Sequence, residues 1–340
     1  MTQKAIFDKK NVLVLGGAGF IGSHLCDELV KSSKVICVDN FITGEERNID
    51  HLLANPDFAF IKHDMSDMID LEAIPGLQKF KIEFQGIQEI YNLACPTSPL
   101  NFKKNRLANL LANSYAVKNS LDLAQKYEAK YMLFSSSVVY GPRRKDNPKI
   151  QENDIGLVDF LNDRSSYDEG KRFAETMVVN YKEYFGLDAK IIRLFRVYGP
   201  RMKLNDNQMI PDFVANAIEN KDLVIYGDKN FTSSFCYVSD IVDGVIKMMN
   251  SNLTGPVNLG SDIDVNITDF AQKIISYLGS NSKITYNNEI LFMSPLCIPD
   301  TTVARNELAW MPVVTLNKGL EKTIEDLLIS KGLKKSEFNA

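Results

Sequence analysis

The segment NVLVL at Asn11–Leu15 runs directly into GGAGFIG at Gly16–Gly22, and this junction decides the fold. The apolar, β-branched run predicts a strand, and the spacing of apolar residues from Phe20 to Val30 predicts a helix after it. Glycines at such a turn let the chain bend tightly, let backbone N–H groups approach a pyrophosphate, and let helix and strand pack closely. The junction therefore predicts a dinucleotide-binding site rather than a generic glycine-rich turn.

An acidic residue, Asp39, follows the second predicted strand at Lys34–Val38. It lies close to the offset of ~20 residues at which an acid binds the ribose hydroxyls of a dinucleotide. Because a carboxylate repels a 2′-phosphate, the predicted cofactor is NAD rather than NADP.

Strands and helices alternate along the first half of the chain. Further strands are predicted at Phe58–Ile61, Glu89–Leu93, Tyr131–Phe134 and Ala189–Leu194, and helices at Leu107–Tyr127 and Tyr167–Phe185. This alternation is typical of an α/β fold with a doubly wound parallel Rossmann sheet that carries helices on both faces.

The pattern becomes irregular after Gly199-Pro200. Helices are predicted there at Gln208–Glu219, Phe270–Leu278 and Leu316–Leu328. We predict a Rossmann domain at 1–195, to which 236–260 returns, a smaller α/β substrate domain at 196–235 and 261–330, and a polar tail at 331–340.

Composition excludes several classes of protein. The formal net charge is −4, which gives no overall field to attract nucleic acid or an anionic membrane. No apolar run approaches the ~20 residues that span a bilayer, and the first ten residues lack the apolar core of a signal peptide, so a cytoplasmic enzyme is expected. The five cysteines are widely spaced and are expected to be reduced thiols, and the three histidines share no metal-ligand spacing.

Tyr167 and Lys171 lie four residues apart in a predicted helix, so their side chains share one face. A phenol with a pKa near ~10 removes a proton at neutral pH only where positive charge favours the phenolate. Lys171 and an oxidised nicotinamide would supply that charge. The alternative is a packed ring beside a solvated lysine, and the preceding dinucleotide site favours the catalytic interpretation.

Three serines, Ser135–Ser137, follow the strand predicted at Tyr131–Phe134. Ligands of open parallel sheets bind beyond the carboxyl ends of the strands. Ser136 or Ser137 is therefore predicted to hydrogen-bond a substrate oxygen beside Tyr167. A run of turn-forming serines is the alternative.

Further motifs extend this pattern along the chain. They are Asp39-Asn40-Phe41, Thr43-Gly44, His63-Asp64, Asn92-Leu93-Ala94, Tyr198-Gly199-Pro200-Arg201-Met202, Tyr237-Val238-Ser239-Asp240 and Val257-Asn258-Leu259-Gly260. With the glycine turn and the Tyr-Lys pair, they resemble the extended short-chain dehydrogenase/reductase (NAD-dependent epimerase/dehydratase) family over roughly Asn11–Leu328. In order and wording they are similar to those of the UDP-glucuronate decarboxylases, including a loop at Cys95-Pro96-Thr97-Ser98-Pro99.

This resemblance implies bound NAD, a nucleotide-diphosphate sugar as substrate, and a homodimer built through a four-helix bundle. The cofactor-binding residues that it implies are Gly16, Gly19, Phe20, Ile21, Gly22, Asp39, Asn40, Thr43, Gly44, Asp64, Met65, Leu93, Ala94, Tyr167 and Lys171. The substrate-binding residues that it implies are Cys95, Ser98, Arg196, Arg201, Tyr226 and Ser233.

The chain departs from the decarboxylases at three positions. Val138 stands where they have a glutamate after the hydroxyl cluster, and Ser233 stands where they have an arginine. Neither residue can act as a charged acid or base, so assisted loss of carbon dioxide lacks its expected helpers. Arg196 stands where relatives have an asparagine near the sugar diphosphate.

The sequence favours NAD-dependent oxidation of the carbon-4 hydroxyl of a nucleotide sugar to a 4-keto sugar, with Tyr167, Lys171, Ser136 and Ser137 as catalytic residues. A GDP-heptose used in bacterial capsule or lipopolysaccharide synthesis is one candidate substrate. A 4-epimerase is the alternative, since Ser135–Gly141 matches the family's epimerases. A UDP-glucuronate decarboxylase is favoured less than either of these enzymes. A non-catalytic NAD-binding sensor is the hypothesis from a different class of protein.

Overall fold

The structure is a computed structural model that describes residues 9–97, 104–144, 149–204, 206–227, 229–287 and 297–333. Its strands are β1 (Asn11–Leu15), β2 (Lys34–Asp39), β3 (Phe58–Lys62), β4 (Glu89–Asn92), β5 (Lys130–Ser136), β6 (Lys149–Ile150), β7 (Ala189–Leu194), β8 (Val197–Tyr198), β9 (Leu223–Tyr226), β10 (Thr232–Ser233), β11 (Cys236–Tyr237), β12 (Pro256–Leu259), β13 (Val265–Asn266), β14 (Ile284–Asn287) and β15 (Ile298–Pro299).

The helices are α1 (Phe20–Leu29), α2 (Ile82–Gln85), α3 (Arg106–Asn113), α4 (Tyr115–Tyr127), α5 (Ser165–Phe185), α6 (Met209–Ile218), α7 (Val238–Asn250), α8 (Ile267–Leu278), α9 (Thr302–Leu308) and α10 (Leu316–Ser330). Short 3₁₀ turns lie at Glu46–Asn48, Asp50–Leu52, Pro75–Phe80 and Ser137–Tyr140.

The central sheet has seven strands in the order β12-β7-β5-β4-β1-β2-β3. The pairs of β1 with β2, β1 with β4, β2 with β3 and β4 with β5 are all parallel. The order reverses beside β1, which in this kind of sheet places the ligand crevice outside the carboxyl ends of the strands next to it. The predicted α/β fold with a doubly wound parallel Rossmann sheet is confirmed.

The first of two compact units comprises residues 1–96, 107–134 and 172–191. All five residues of β1 are buried, as a strand covered on both faces requires. The side chains of Leu13 and Leu15 join a core with residues of α4 and α5, among them Leu121 and Val178. This core fixes the strand that leads into the glycine turn.

The second unit comprises residues 97–106, 135–171 and 192–340. Its small parallel pair of β8 and β11 aligns Val197 with Cys236. The rings of Phe235, just before β11, and Phe270 in α8 stack with centroids 4.7 Å apart. These contacts join segments predicted for the substrate domain to Cys236, which lies in the segment predicted to return to the Rossmann domain. The predicted domain boundaries stay a prediction.

The helix predicted over Leu107–Tyr127 is two helices, α3 and α4, that are separated at Ser114. Ser114 has φ −120° and ψ −81°, outside the helical region. Its hydroxyl donates to the carbonyl of Leu110 at 2.6 Å. Serine side chains compete with the helical backbone in this way, which explains the interruption.

The other predicted elements are present with ends that differ by a few residues. All five cysteines are free, and four of them are buried, as predicted for reduced thiols. Within the described residues, no helix is both long and apolar enough to cross a membrane.

Candidate functional site

The glycine turn of unit 1 is built for close backbone approach. Gly16 has φ +80°, which a residue with a side chain rarely adopts. A Cβ atom on Gly16 would lie 2.9 Å from the carbonyl carbon of Leu93, and one on Gly22 would lie 2.2 Å from the carbonyl oxygen of Gly16. Gly19, the N-cap of α1, has no side chain to occupy the space in front of the first helical N–H groups. An anionic group can bind there.

Asp39 closes the same pocket at the end of β2. Its Oδ2 accepts a hydrogen bond from the amide of Ala18 at 3.0 Å, and its Oδ1 accepts one from the amide of Phe41 at 2.8 Å. Burial raises the pKa of this carboxyl, and the backbone donors partly oppose that shift. A Cβ atom on Gly44 would lie 3.0 Å from both carboxylate oxygens, so Gly44 leaves room beside them.

Two further predicted residues meet beside this pocket. The side-chain amide of Asn40 donates to Oδ2 of Asp64 at 2.9 Å. Oδ1 of Asp64 accepts from both the amide and the hydroxyl of Ser66, and these donors hold the pKa of Asp64 below its usual value despite partial burial. The side chain of Met65 packs in the core of unit 1.

Leu93 and Ala94 follow β4, next to the glycine turn. The amide of Leu93 donates to the carbonyl of Leu15 at 2.9 Å, and the amide of Ala94 donates to Oδ1 of Asn92 at 3.1 Å. The glycine turn, the Asp39 carboxylate and the chain after β4 thus form one backbone-lined cradle within unit 1. The small residues and the buried acid fit a dinucleotide whose ribose carries free hydroxyls.

The Tyr-Lys pair lies in unit 2, on the first turns of α5. Tyr167 and Lys171 are both buried, with 7% and 4% of their surface exposed. The ammonium nitrogen of Lys171 lies 6.0 Å from the centroid of the Tyr167 ring. A lysine on a solvent-facing side of the helix would be exposed. The burial of Lys171 therefore favours a role for this pair in chemistry.

The serines lie where β5 ends. Ser136 caps the 3₁₀ turn Ser137–Tyr140, and its hydroxyl accepts a hydrogen bond from the amide of Val138 at 3.4 Å. Ser137 and Val138 are buried. Val138, which directly follows the serines, is therefore an apolar residue that water does not reach. Ser233, in β10, is buried as well.

The remaining predicted substrate residues have varied surroundings. Sγ of Cys95 lies 3.4 Å from Oδ1 of Asn109, while Ser98 lies outside the described residues. Tyr226 is partly exposed at the end of β9. The amide of Arg201 donates to Oδ2 of Asp326 at 2.7 Å. These contacts leave the predicted roles as predictions.

Arg196 lies between β7 and β8. Its carbonyl accepts a hydrogen bond from the amide of Cys236 at 3.0 Å, and its guanidinium carbon lies 5.9 Å from the centroid of the Phe235 ring. Nε of Arg196 is buried and has no hydrogen-bond partner among the described residues. Burial, reinforced by the charge of Arg164, lowers the pKa of Arg196 to about 10.

Sequence reasoning missed three residues at these sites. The side-chain amide of the buried Asn48 donates to the carbonyl of Ala18 at 2.9 Å and so supports the glycine turn. Arg164, which directly precedes α5, pairs with Asp168 in its first turn at 3.1 Å, so the two residues lie on either side of Tyr167 in the sequence. The i, i+4 spacing of Arg164 and Asp168 was the one available signal.

The cradle and the buried Tyr-Lys pair define a Rossmann enzyme that works with a nicotinamide dinucleotide. The model of the "NAD dependent epimerase/dehydratase family" matches residues 12–263. The chain belongs to this family, and its cofactor is NAD. No metal-like group of three or more His, Cys, Asp or Glu side chains is found in the parts of the chain that the structure describes.

Relatives and solved structures support this assignment. The chain is 38% identical to UDP-glucuronic acid decarboxylase 1 of Xenopus tropicalis over 93% of this chain and 72% of that protein. The UDP-N-acetylglucosamine 4-epimerase of Methanobrevibacter ruminantium has a similar structure, with a TM-score of 0.83 and 26% identity over 96% of this chain and 100% of that one. The UDP-glucuronic acid 4-epimerase of Bacillus cereus, solved with UDP-glucuronic acid and NAD, has a TM-score of 0.80 and 25% identity over 94% and 99%. The protein is thus an enzyme of a family that acts on nucleotide sugars.

Proposed function

We propose that the protein is a nucleotide-sugar 4-dehydrogenase, which oxidises carbon 4 with NAD and releases the 4-keto sugar. One contrast within unit 2 carries the proposal. Tyr167 and Lys171 are buried together on α5, whereas the buried residues Val138 and Ser233 offer no charge. With NAD as the hydride acceptor, the first pair supplies the base for oxidation of an alcohol, and the second pair lacks the acid and the cation that a later decarboxylation would use.

In the proposed mechanism, the phenolate of Tyr167 accepts the proton of the carbon-4 hydroxyl. The Lys171 ammonium stabilises that phenolate, and the hydroxyl of Ser136 or Ser137 hydrogen-bonds the substrate oxygen. The glycine turn and Asp39 would hold NAD, which when bound would accept the hydride from carbon 4. The buried position of Tyr167 keeps water away from the proton that it takes.

A 4-epimerase is the second candidate. The solved structures that resemble this chain include 4-epimerases that bind UDP-sugars, and such an enzyme uses the same oxidation before it returns the hydride. The decarboxylase relatives add a third product to test. A heptose or hexose nucleotide of bacterial surface polysaccharides remains our candidate substrate.

The products distinguish these reactions. Purified protein is incubated with NAD and a panel of UDP-, GDP-, dTDP- and CDP-sugars that includes UDP-glucuronate, and product masses are recorded. Loss of two hydrogens from one substrate is expected. Loss of carbon dioxide would make the protein a decarboxylase, an unchanged mass with inverted carbon 4 would make it an epimerase, and NAD binding without any product would favour a sensor.

The catalytic role of Tyr167 has a matched control on the same helix. Tyr167→Phe should bind NAD normally and lose at least ~1,000-fold in turnover, because the proton acceptor is gone. Tyr184→Phe, at a position 84% exposed on α5, should retain wild-type turnover. Full activity in Tyr167→Phe would exclude the proposed mechanism.

We further propose that two copies of the chain associate through helices of unit 1. Apolar side chains are exposed on α3 and α5, including Leu107 at 75% and Phe173 at 51%. The hydroxyl of Tyr181 donates to Asp122 at 2.8 Å, which holds α5 beside α4. A pair of such helices from each copy would bury these side chains in a four-helix bundle.

Oligomeric state tests this association. Leu107→Glu should convert a dimer to a monomer in light scattering coupled to size-exclusion chromatography. Met68→Glu, at an exposed position elsewhere in unit 1, should leave the dimer intact. A wild-type monomer at micromolar concentration would refute the proposal.

A further inference from the structure

The guanidinium of Arg196 is incompletely hydrogen-bonded within unit 2. Its Nε is buried, and no described residue accepts a hydrogen bond from it. Arginine stays charged at neutral pH even with a pKa lowered to about 10. A buried N–H group without an acceptor costs stability, and the residue as a whole is partly exposed, so a ligand can reach it.

The neighbouring charges do not neutralise Arg196. Arg164, whose like charge lowers the pKa of Arg196, is itself paired with Asp168 at 3.1 Å. Arg164 therefore adds positive charge near Arg196 rather than neutralising it.

The position of Arg196 is fixed before any ligand arrives. Its backbone is tied to β11 by the hydrogen bond from Cys236. Its guanidinium carbon lies 5.9 Å from the Phe235 ring, and that ring stacks on the fully buried Phe270. A cation held beside a rigid aromatic pair loses little side-chain entropy when it binds an anion.

We propose that Arg196 is a specificity-determining residue, and that it binds an oxyanion of the substrate. Arginine presents a planar fork of N–H donors that matches phosphate and carboxylate oxygens. The inference rests on the proposed function for the choice of ligand, because a nucleotide sugar carries phosphate oxyanions and a uronic acid adds a carboxylate. Both sources share the chemistry that Arg196 recognises.

Binding to the full chain with saturating NADH, which cannot accept a hydride, tests this role without turnover. Isothermal titration calorimetry measures the dissociation constants of UDP, GDP, UDP-glucose and UDP-glucuronate for wild type, Arg196→Met, Arg196→Lys and Arg305→Met. Arg305 is an exposed arginine of unit 2 that pairs with Asp262, so its removal controls for net charge. Melting temperatures show that each variant is folded.

Arg196→Met should weaken binding of the nucleotide that wild type binds by about 10- to 100-fold, which is the loss expected for a charge-assisted hydrogen bond. Arg196→Lys should lose less affinity, because lysine keeps the charge but not the planar fork of donors. The affinity of Arg305→Met should stay within about twofold of wild type. Equal losses for UDP or GDP and the sugar nucleotides assign phosphate as the partner. A loss confined to UDP-glucuronate assigns the carboxylate.

Two results would overturn the inference: binding of every anion by Arg196→Met within twofold of wild type, or no binding of any of them by wild type. Weakened nucleotide binding in Arg196→Met, combined with no keto product from any sugar, would retain the inference and refute the 4-dehydrogenase. The two proposals can therefore fail separately.

Discussion

Arg193 and Arg196 are three residues apart and meet opposite environments. Nη1 of Arg193 donates to the hydroxyl of Tyr140 at 2.7 Å and to the carbonyl of Glu152 at 2.8 Å. The same hydroxyl donates to Oδ1 of Asn258 at 2.8 Å, and the amide of Asn258 donates back to the Glu152 carboxylate at 2.9 Å. Arg196 has a buried Nε with no acceptor among the described residues.

The difference separates two uses of one side chain. Arg193 closes a ring of hydrogen bonds, and its charge opposes the rise in pKa that burial causes in Glu152 and Tyr140. Such a network joins distant parts of the sequence and stabilises the fold. Arg196 contributes no comparable contact, so its charge is available to a ligand. Substitutions at these positions should therefore change stability in opposite directions.

The largest expected effect is the loss of the Arg193 network. Arg193→Met should lower the free energy of unfolding by about 3 kcal/mol, because the substitution removes a cation and leaves buried oxygens without their donor. Urea denaturation measures this loss. Arg305→Met is the control, since its partner Asp262 also lies 3.6 Å from Lys149 and both groups are at the surface. A loss as small as the control's would mean that Arg193 is not structural.

Asp212 extends the comparison to a charge that can be neutralised. Burial, with the nearby charge of Asp206, raises the pKa of Asp212 from 3.8 to about 6. A raised carboxyl pKa means that the folded state holds the proton more tightly than the unfolded state. Ionised Asp212 therefore destabilises the folded state in full above about pH 6. This destabilisation decreases as the pH falls and is absent below the unfolded pKa of 3.8.

Asp212→Asn should accordingly raise the free energy of unfolding by about 2 kcal/mol at pH 8 and have little effect at pH 4. Urea denaturation across this range measures the difference. Asp67→Asn, at an exposed position, is the control for removal of a carboxylate charge. A stabilisation by Asp212→Asn that is equal at both pH values would show that ionisation is not its cause.

Tyr140→Phe should have a smaller effect, a loss of about 1.5 kcal/mol, since Arg193 keeps its bond to the Glu152 carbonyl. A double-mutant cycle with Arg193→Met provides the measurement. The double variant should be less destabilised than the sum of the single variants, because both remove the same hydrogen bond. Strict additivity would contradict the network.

Local patterns predicted most of the fold. The strand at Asn11–Leu15 and the glycine turn are encoded by adjacent residues, and the structure reproduces both. The break at Ser114 depends on one serine side chain that bonds its own helix, which apolar periodicity does not detect. Identity and spacing also predicted the Tyr-Lys pair, because four residues of helix fix the relation between the two side chains.

The partners of charged side chains were beyond sequence reasoning. Tyr140 hydrogen-bonds Asn258, which lies 118 positions away in the sequence, and no local pattern encodes such a contact. Arg193 and Arg196 look alike in the sequence, and only the packing around them distinguishes a satisfied arginine from an unsatisfied one. Departures from a family motif, as at Arg196, were the available signal.

The smallest predicted effect has the opposite sign and bears most directly on the comparison. Without ligand, Arg196→Met should raise the free energy of unfolding by about 1 kcal/mol, because an apolar chain of similar volume replaces a partly exposed cation whose buried Nε lacks an acceptor among the described residues. The Phe235 ring can pack against the methionine thioether.

Urea denaturation of the NAD-bound protein measures this gain, and repetition with the nucleotide that binds wild type should reverse it, since the ligand stabilises wild type more than the variant. Arg193→Met should show no such reversal. If Arg196→Met is instead as unstable as Arg193→Met, both arginines hold the fold together and the charge of Arg196 is not reserved for a ligand.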